Sequence, residues 1–412
     1  MNRKQLILIL VAGAIFGAAG LTLWKKERET WKSESRPREK LLPNFPINEI
    51  ARVKITSSAG ELNLLKKEEQ WVVQERADFP ANFGEITDFL RKLWEMKPGE
   101  PIEVGESQLG RLELLDPAKG SNSATRVDFL DKNGKGLVFL LLGKKHMKKS
   151  PSASPFGGGD WPDGRYLMVG NDRQSVCLVK ETFSQVEPKA ESWLDKEFFK
   201  IEKVKSISLV STNATNSWKM SRETESGEWK LADAQKDEVL DSVKASSAST
   251  AMTSPSFNDV VLRDTKPEIT GLDKGSTATI ETFDGFIYTL KFGNKTADDN
   301  SYYFSVETEF NPNRTRTPGK DEKPEDKEKL DKEFKENLKK LQEKFDKEKV
   351  FARWNYLVSK WSVESLLKPR SEMLAPKKEE PKPEENKPAE AKPADTKPAE
   401  VKPSEAKPEE KK

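Results

Sequence analysis

The feature that most constrains this chain is a pattern that occurs twice. "INEIARVKITS" from Ile47 returns as "IEKVKSISLVS" from Ile201, and "LNLLKKEEQWVV" (62–73) returns as "SWKMSRETESGEWKL" (217–231). "RLELLDPAKG" and "EITGLDKG" follow in register. Then "TRVDFLDKNGKGLVFLLLGKK" is matched by "TATIETFDGFIYTLKFGNKT", and "RYLMVG" by "SYYFSV". A repeat of roughly 150 residues is a duplicated domain rather than a solenoid built from short units.

Each copy alternates apolar with polar residues between turn-forming clusters, which is the signature of half-buried strands. The turns "SAG", "EEQ", "KNGK" and "NDRQ" divide the first copy into hairpins. Its period changes once. Phe83, Ile86, Phe89, Leu90, Leu93 and Trp94 recur at helical spacing, and Pro98–Gly99 ends that helix. The equivalent stretch in the second copy, "DEVLDSVKASSASTAM", is far less apolar. "ETFSQVEPKAESWLDKEFF" (181–199) also reads as helical, interrupted or restarted at Pro188. The expected fold class is therefore α+β, two tandem modules of mainly antiparallel sheet with helices. Trp71 and Trp229 are expected to anchor the two cores. Carbohydrate stacking is the weaker alternative for them.

Around these modules lie segments of other composition. After the flank at 1–5, residues 6–24 form an uncharged, mostly apolar run, roughly 27 Å long as a helix, which suits a bilayer-spanning anchor. Arg3 and Lys4 precede it, and Lys25, Lys26, Arg28 and Lys32 follow. The very short leading flank favours a cytoplasmic N-terminus with the remainder outside, in the periplasm of a bacterial inner-membrane protein. A cleaved leader ending at "GAAG" is the competing reading. Residues 25–46 read as a stalk, 47–200 as the first module, and 201–309 with 351–375 as the second. Residues 376–412 repeat Lys-Pro every five positions with almost no aliphatic content, so the tail buries too little surface to fold. It is either inert or reaches the cell wall.

The copies differ at 310–350, a charged insertion in the second. There Leu330, Phe334, Leu338, Leu341 and Phe345 recur every three or four residues, and Asp331–Lys335, Glu336–Lys340 and Glu343–Lys347 place acid before base. The stripe either packs on its parent module or docks on a partner in helix-in-groove fashion, and it is the candidate partner-binding site.

Chemistry is sparse. The 71 basic and 69 acidic residues nearly cancel, which argues against nucleic-acid binding. One histidine, His146, and one cysteine, Cys177, leave no zinc site and no histidine-dependent triad. Cys177 sits in the apolar run "SVCLV" and reads as a buried small hydrophobe. His146 reads as a solvated residue at the start of a flexible loop from Lys144 to Gly164. "PFGGGDWPDG" lacks the ending of a phosphate loop. "LDKNGKG" lacks the later ligands of a calcium loop. Asp160 and Asp163 are the only pair that suggests glycoside chemistry, and turn residues are the simpler reading. No catalytic residue, metal, cofactor or small-molecule substrate is expected.

The strand "I-x-x-V-x-x-I", the Trp-bearing hairpin, the "GLD" turn, the "LLGKK" strand and the following Gly-Arg-Tyr strand together resemble the bacterial domain-of-unknown-function family numbered 4340. The matching stretches are 47–94, 112–145 and 164–199, with a looser match from Ile201. That resemblance implies a membrane-anchored protein with duplicated β-rich domains, often encoded beside permeases and related subunits of gliding-type ABC export systems. It implies an accessory role and supplies no catalytic residues. Binding of peptidoglycan or polysaccharide is the alternative, and a carboxylate-dependent glycan hydrolase the least favoured one.

Overall fold

The computed structural model describes residues 40–376 except 121, 150–158, 237, 263 and 319–321. The expected anchor, most of the stalk and the Lys-Pro tail lie outside the described residues. Among the described residues, no helix is long and apolar enough to cross a membrane.

The first module consists of β1 (Arg52–Ser57), β2 (Gly60–Lys67), β3 (Gln70–Val73), β4 (Phe79–Pro80), α1 (Phe83–Glu95), β5 (Glu100–Pro101), β6 (Thr125–Leu130), β7 (Gly136–Lys148), β8 (Trp161–Val169) and β9 (Cys177–Val179). The second contains β10 (Val204–Val210), β11 (Trp218–Ser221), β12 (Lys230–Leu231), α2 (Ser242–Thr250), β13 (Asp259–Val260), β14 (Ser276–Thr282), β15 (Phe286–Lys295), β16 (Ser301–Phe310), α3 (Pro324–Glu348) and β17 (Tyr356–Ser359).

Each module forms one antiparallel sheet. The first runs β4-β3-β2-β1-β6-β7-β8-β9-β5 and the second β12-β11-β10-β14-β15-β16-β17-β13. Removing β4 makes the two orders identical, strand for strand. The duplication extends to an irregularity. The β7–β8 register shifts between Leu142 and Lys145, and the β15–β16 register between Phe292 and Lys295. A glycine lies at each break because another backbone passes against it. A Cβ on Gly143 would stand 2.4 Å from the Leu112 carbonyl oxygen, and one on Gly293 would stand 1.9 Å from that of Thr270.

Alternation sets the cores. Val53, Ile55, Leu62, Leu64, Val127, Phe129, Leu140 and Leu142 bury one face of the first sheet beneath Ile86, Phe89, Leu90 and Leu93 of α1. The opposite face is covered too, because Leu141, Met168 and Val176 pack with Leu109 and Leu114. Burial on both faces accounts for the unbroken apolar run of β7. Asn82 caps α1 by accepting from the Glu85 N–H. Phe83 and Trp94, expected on the buried stripe, are exposed at the two ends of α1 (65% and 43%). Lys40 lies 3.1 Å from the Trp94 ring centre. Leu42 and Phe45, expected at the end of the stalk, are buried in the first core. The module therefore begins before residue 47.

Residues 181–199 are not helical beyond one turn at Ala190–Ser192. Phe183 adopts a left-handed conformation (φ 46°), and the segment runs as an irregular strap. Its apolar residues are nonetheless buried, and they join the modules. Phe183 and Trp193 meet Phe89 edge-on at 5.7 and 6.2 Å. Phe198 enters the second core, 5.0 Å from Phe257 and 4.8 Å from Tyr356. Phe199 stacks 5.8 Å from Tyr288.

Direct contacts complete the seam. Phe79 of β4 lies 4.9 Å from Trp354 and 5.5 Å from Phe257. Trp354 Nε1 donates to the Ala77 carbonyl at 3.0 Å. Arg76 grips Asp259 with two parallel hydrogen bonds of 2.7 and 2.8 Å. Both partners of that pair are largely sequestered, so their attraction is screened less than that of a surface pair. One apolar cluster runs through both sheets. The strand β4, which has no counterpart in the second module, thus carries the aromatic contact between the two.

Candidate functional site

The second module's insertion is a single helix of 25 residues, α3. Pro324 opens it with Glu325 and Asp326 in the first turn, and Lys347 lies in the last, a charge order that suits the helix dipole. Arg316, in the approach to α3, bonds both Glu322 and Asp331 and ties the approach to the helix. The side-chain pairs seen along its solvent face are Lys329–Glu333, Lys332–Glu336 and Lys339–Glu343, at 3.9–4.0 Å. These place base before acid, the reverse of the expected order. Asp331, expected to pair with Lys335, instead accepts from Arg316 Nε at 2.7 Å.

The five stripe residues lie on one face, and each of them is half-buried. Leu341 and Phe345 pack against the main core, and Phe345 stacks on Phe310 with centroids 5.8 Å apart. The stripe therefore faces its parent module, at least through the last two turns. The C-terminal end is fixed by Glu348, one of the few buried charged side chains (6% exposed). Its carboxylate accepts from the Tyr288 hydroxyl at 2.7 Å and from the Lys200 N–H at 3.1 Å, with Lys344 Nζ at 3.9 Å. Burial raises the pKa of Glu348 despite these donors, and burial also raises that of Tyr288. The carboxylate ties together three elements: the strap, β15 and α3.

Between α3, the strap and the β3–β4 edge lies an open cleft of about 620 Å³. Its floor is apolar, made by Phe79, Pro80, Phe198 and Phe351. Its rim carries both signs: Lys340, Glu343 and Lys347 of α3 lie opposite Asp195 and Glu197, and Lys344 reaches across to Glu202 at 3.1 Å. Both modules and the insertion contribute walls, so the cleft exists only in the joined molecule. The helical period identifies α3 but not the cleft, because β4 is two residues long and the strap has helix-like spacing without being a helix.

The remaining candidates disperse. Trp71 is buried at 6%, which removes it from any sugar-stacking role. Trp229 is half-buried, with the Arg222 guanidinium 4.8 Å from its ring centre. The deeply buried tryptophan of the second module is Trp218, whose Nε1 donates to the Lys368 carbonyl at 2.8 Å. Cys177 is buried and its thiol pKa is raised by that burial. His146 is not in a loop: β7 continues to Lys148, and His146 Nδ1 lies 2.6 Å from Asp163 Oδ1. That hydrogen bond holds the Asp163 carboxyl below its ordinary range. Asp163 is thus committed to His146 rather than to Asp160.

Arg165, next to this pair, is 6% exposed. It donates to the carbonyls of Gly143, Leu142 and Phe183, and burial lowers its pKa to about 10. These bonds hold the strap to the register break of β7. Among the described residues, no cluster of three or more His, Cys, Asp or Glu side chains is placed to hold a metal ion.

No curated protein and no solved structure matches the chain. The profile of the domain of unknown function DUF4340 matches residues 71–275, from the Trp71 strand through the seam to the β14 turn of the second module. Over that stretch the chain belongs to the DUF4340 family.

Proposed function

We infer that the protein is a non-catalytic scaffold, tethered to a bacterial inner membrane by residues 6–24, whose two-module body serves as an extracytoplasmic accessory subunit of an ABC-type export complex. Three things support the reading: family membership, the apolar N-terminal run, and a body in which a duplicated sheet has been joined into one. The observation that carries the scaffold role is the open cleft walled on one side by α3. An apolar floor with a rim of both charges suits a polypeptide segment, which brings both side chains and backbone dipoles, better than it suits a small metabolite. The segment that fits is an amphipathic stretch of a permease or of another subunit of the complex. It would lie between the Lys340 and Lys347 edge of α3 and Glu197, over Phe198 and Phe351.

The test is purification of the full chain from native membranes in mild detergent, with mass spectrometry of what stays bound. A multi-span permease and an ATPase are expected to co-purify, and Lys340→Glu together with Lys347→Glu, both on the exposed rim, should release them while leaving the protein folded. Recovery of the protein alone, with its body pelleting on purified cell wall, would reverse the reading in favour of envelope-polymer binding.

A further inference from the structure

The same hairpin is built in two ways in the two modules. In the second, β15 and β16 are joined by residues 296–300, which close on themselves. Asp299 bonds Lys295 at 2.7 Å and Lys360 at 2.8 Å, and these two lysines hold its carboxyl down to about 2. Asp298 takes hydrogen bonds from Thr296 and Asn300. In the first module, β7 and β8 run on past the register break as a two-stranded ribbon. Lys145 pairs with Arg165, His146 with Gly164, Met147 with Pro162, and Lys148 with Trp161.

The side chains of this ribbon are out of keeping with a solvated turn. Met147 and Trp161 are 45% and 44% exposed. Cross-strand partners share a face, so Trp161 lies with Lys148 on one face and Met147 with Pro162 on the other. Lys144, Lys148 and Lys149 are exposed, with Lys145 half-exposed among them. The acids of the described tip are Asp160 and Asp163, and Asp163 is engaged by His146. The tip thus carries a basic excess.

We propose that the β7–β8 ribbon is a membrane-contact element, inserting Trp161 and Met147 into the headgroup layer of an anionic lipid surface while the surrounding lysines bind its charge. A protein partner offers one surface to one face of a ribbon. This ribbon presents an apolar side chain beside a basic one on each face, which fits a medium that surrounds the tip. Tryptophan favours the interface because its ring is apolar and its N–H polar. Lysine beside anionic lipid gains from the surface potential, and its stem lies along apolar surface while the ammonium stays at the phosphates. The contact goes beyond the tether of the proposed function and does not depend on it. A tethered body with a second contact would be held in a fixed orientation at the bilayer.

The test places a polarity-sensitive fluorophore at Trp161→Cys, or on the other face at Met147→Cys, in the full chain. Cys177 is buried, and the parent chain serves as the labelling control. The protein is reconstituted into vesicles of phosphatidylcholine alone or with phosphatidylglycerol, with both leaflets of the same composition. Flotation with phosphatidylcholine vesicles reads the tether, and the fluorophore reads the ribbon. Both positions should shift to the blue and be quenched by headgroup-depth spin labels only when phosphatidylglycerol is present. Each of Lys144→Gln, Lys145→Gln, Lys148→Gln and Lys149→Gln should weaken that response by about fivefold. No response on anionic vesicles, or an equal response on both compositions, would overturn the proposal. So would a shift produced by soluble polyglutamate without lipid, which would assign the ribbon to an acidic protein.

Discussion

The two modules share a strand order, a hairpin plan and a glycine contact, yet what lies on each sheet differs. Over the first, α1 sets Ile86, Phe89, Leu90 and Leu93 into the core. Over the second, α2 offers only Ala245 and Ala248 as fully buried residues, and Asp241 caps it by accepting from the Val243 and Lys244 N–H groups. The second core is filled instead by aromatics, among them Tyr288, Phe292, Phe304 and Tyr356, and by Phe198 and Phe199 from the strap. Duplication evidently preserves the sheet, whose pairing requires both strands of every hairpin to agree in register. What covers the sheet is freer, provided that volume is conserved.

The largest expected effect tests that difference in cover. Phe89→Ala should cost about 3–5 kcal/mol in urea unfolding, since it vacates a fully buried aromatic site. Ala248→Leu should cost only about 1–3 kcal/mol by overpacking the second module's thin helix. Equal costs would mean that α2 is fitted as closely as α1. Next are the glycines. Gly293→Ala and Gly143→Ala should each cost about 3 kcal/mol, at the upper end of overpacking, because the obstructing atom is a backbone carbonyl. Loss confined to one of them would show that the register break is structural in one copy and incidental in the other.

Most of what the copies share was legible in the sequence, because alternation and turn chemistry recur in register. The strands from "ARVKITS" to "SVCLV" and from "SISLVS" to "YLV" lie where period and turns place them, except that β7 and β8 run further and β12 begins only after Trp229. The strap was misread for a physical reason. Val186, Ala190, Trp193 and Leu194 fall three or four apart, as on a helix, but Pro188 and the left-handed Phe183 prevent one, and tertiary burial decides the segment. Phe83 and Trp94 continue the helical period of α1 past the edge of the core. The cleft was invisible because spacing within one segment carries no record of which distant segment covers it. The ribbon was hidden because a run of glycine, serine and proline masked how far β7 and β8 extend on either side.

The smallest effect concerns the insertion, which only the second module has. Burial raises the Glu348 pKa above its unfolded value near 4.5, so the native state binds the more protons between the two values. The stability this contributes is fully present below the unfolded pKa and is lost as pH rises through the folded one. The stability of the parent chain relative to Glu348→Gln should therefore decline from about pH 4.5 upward, read as the difference in urea midpoints across a pH series. A difference that grows with pH would mean that Tyr288, Lys200 and Lys344 favour the carboxylate more than burial opposes it.

The two modules form one body through the strap, Phe79–Trp354 and Arg76–Asp259. Hydrogen–deuterium exchange with mass spectrometry on the full chain tests this most directly, by comparing the central strands β1, β6 and β7 with β10, β14 and β15. The slowest amides of the two sets should share one opening free energy, and in Arg76→Ala/Trp354→Ala the two sets should part company as the seam gives way. Exchange of one set in the parent chain through an opening that leaves the other protected would show two bodies rather than one.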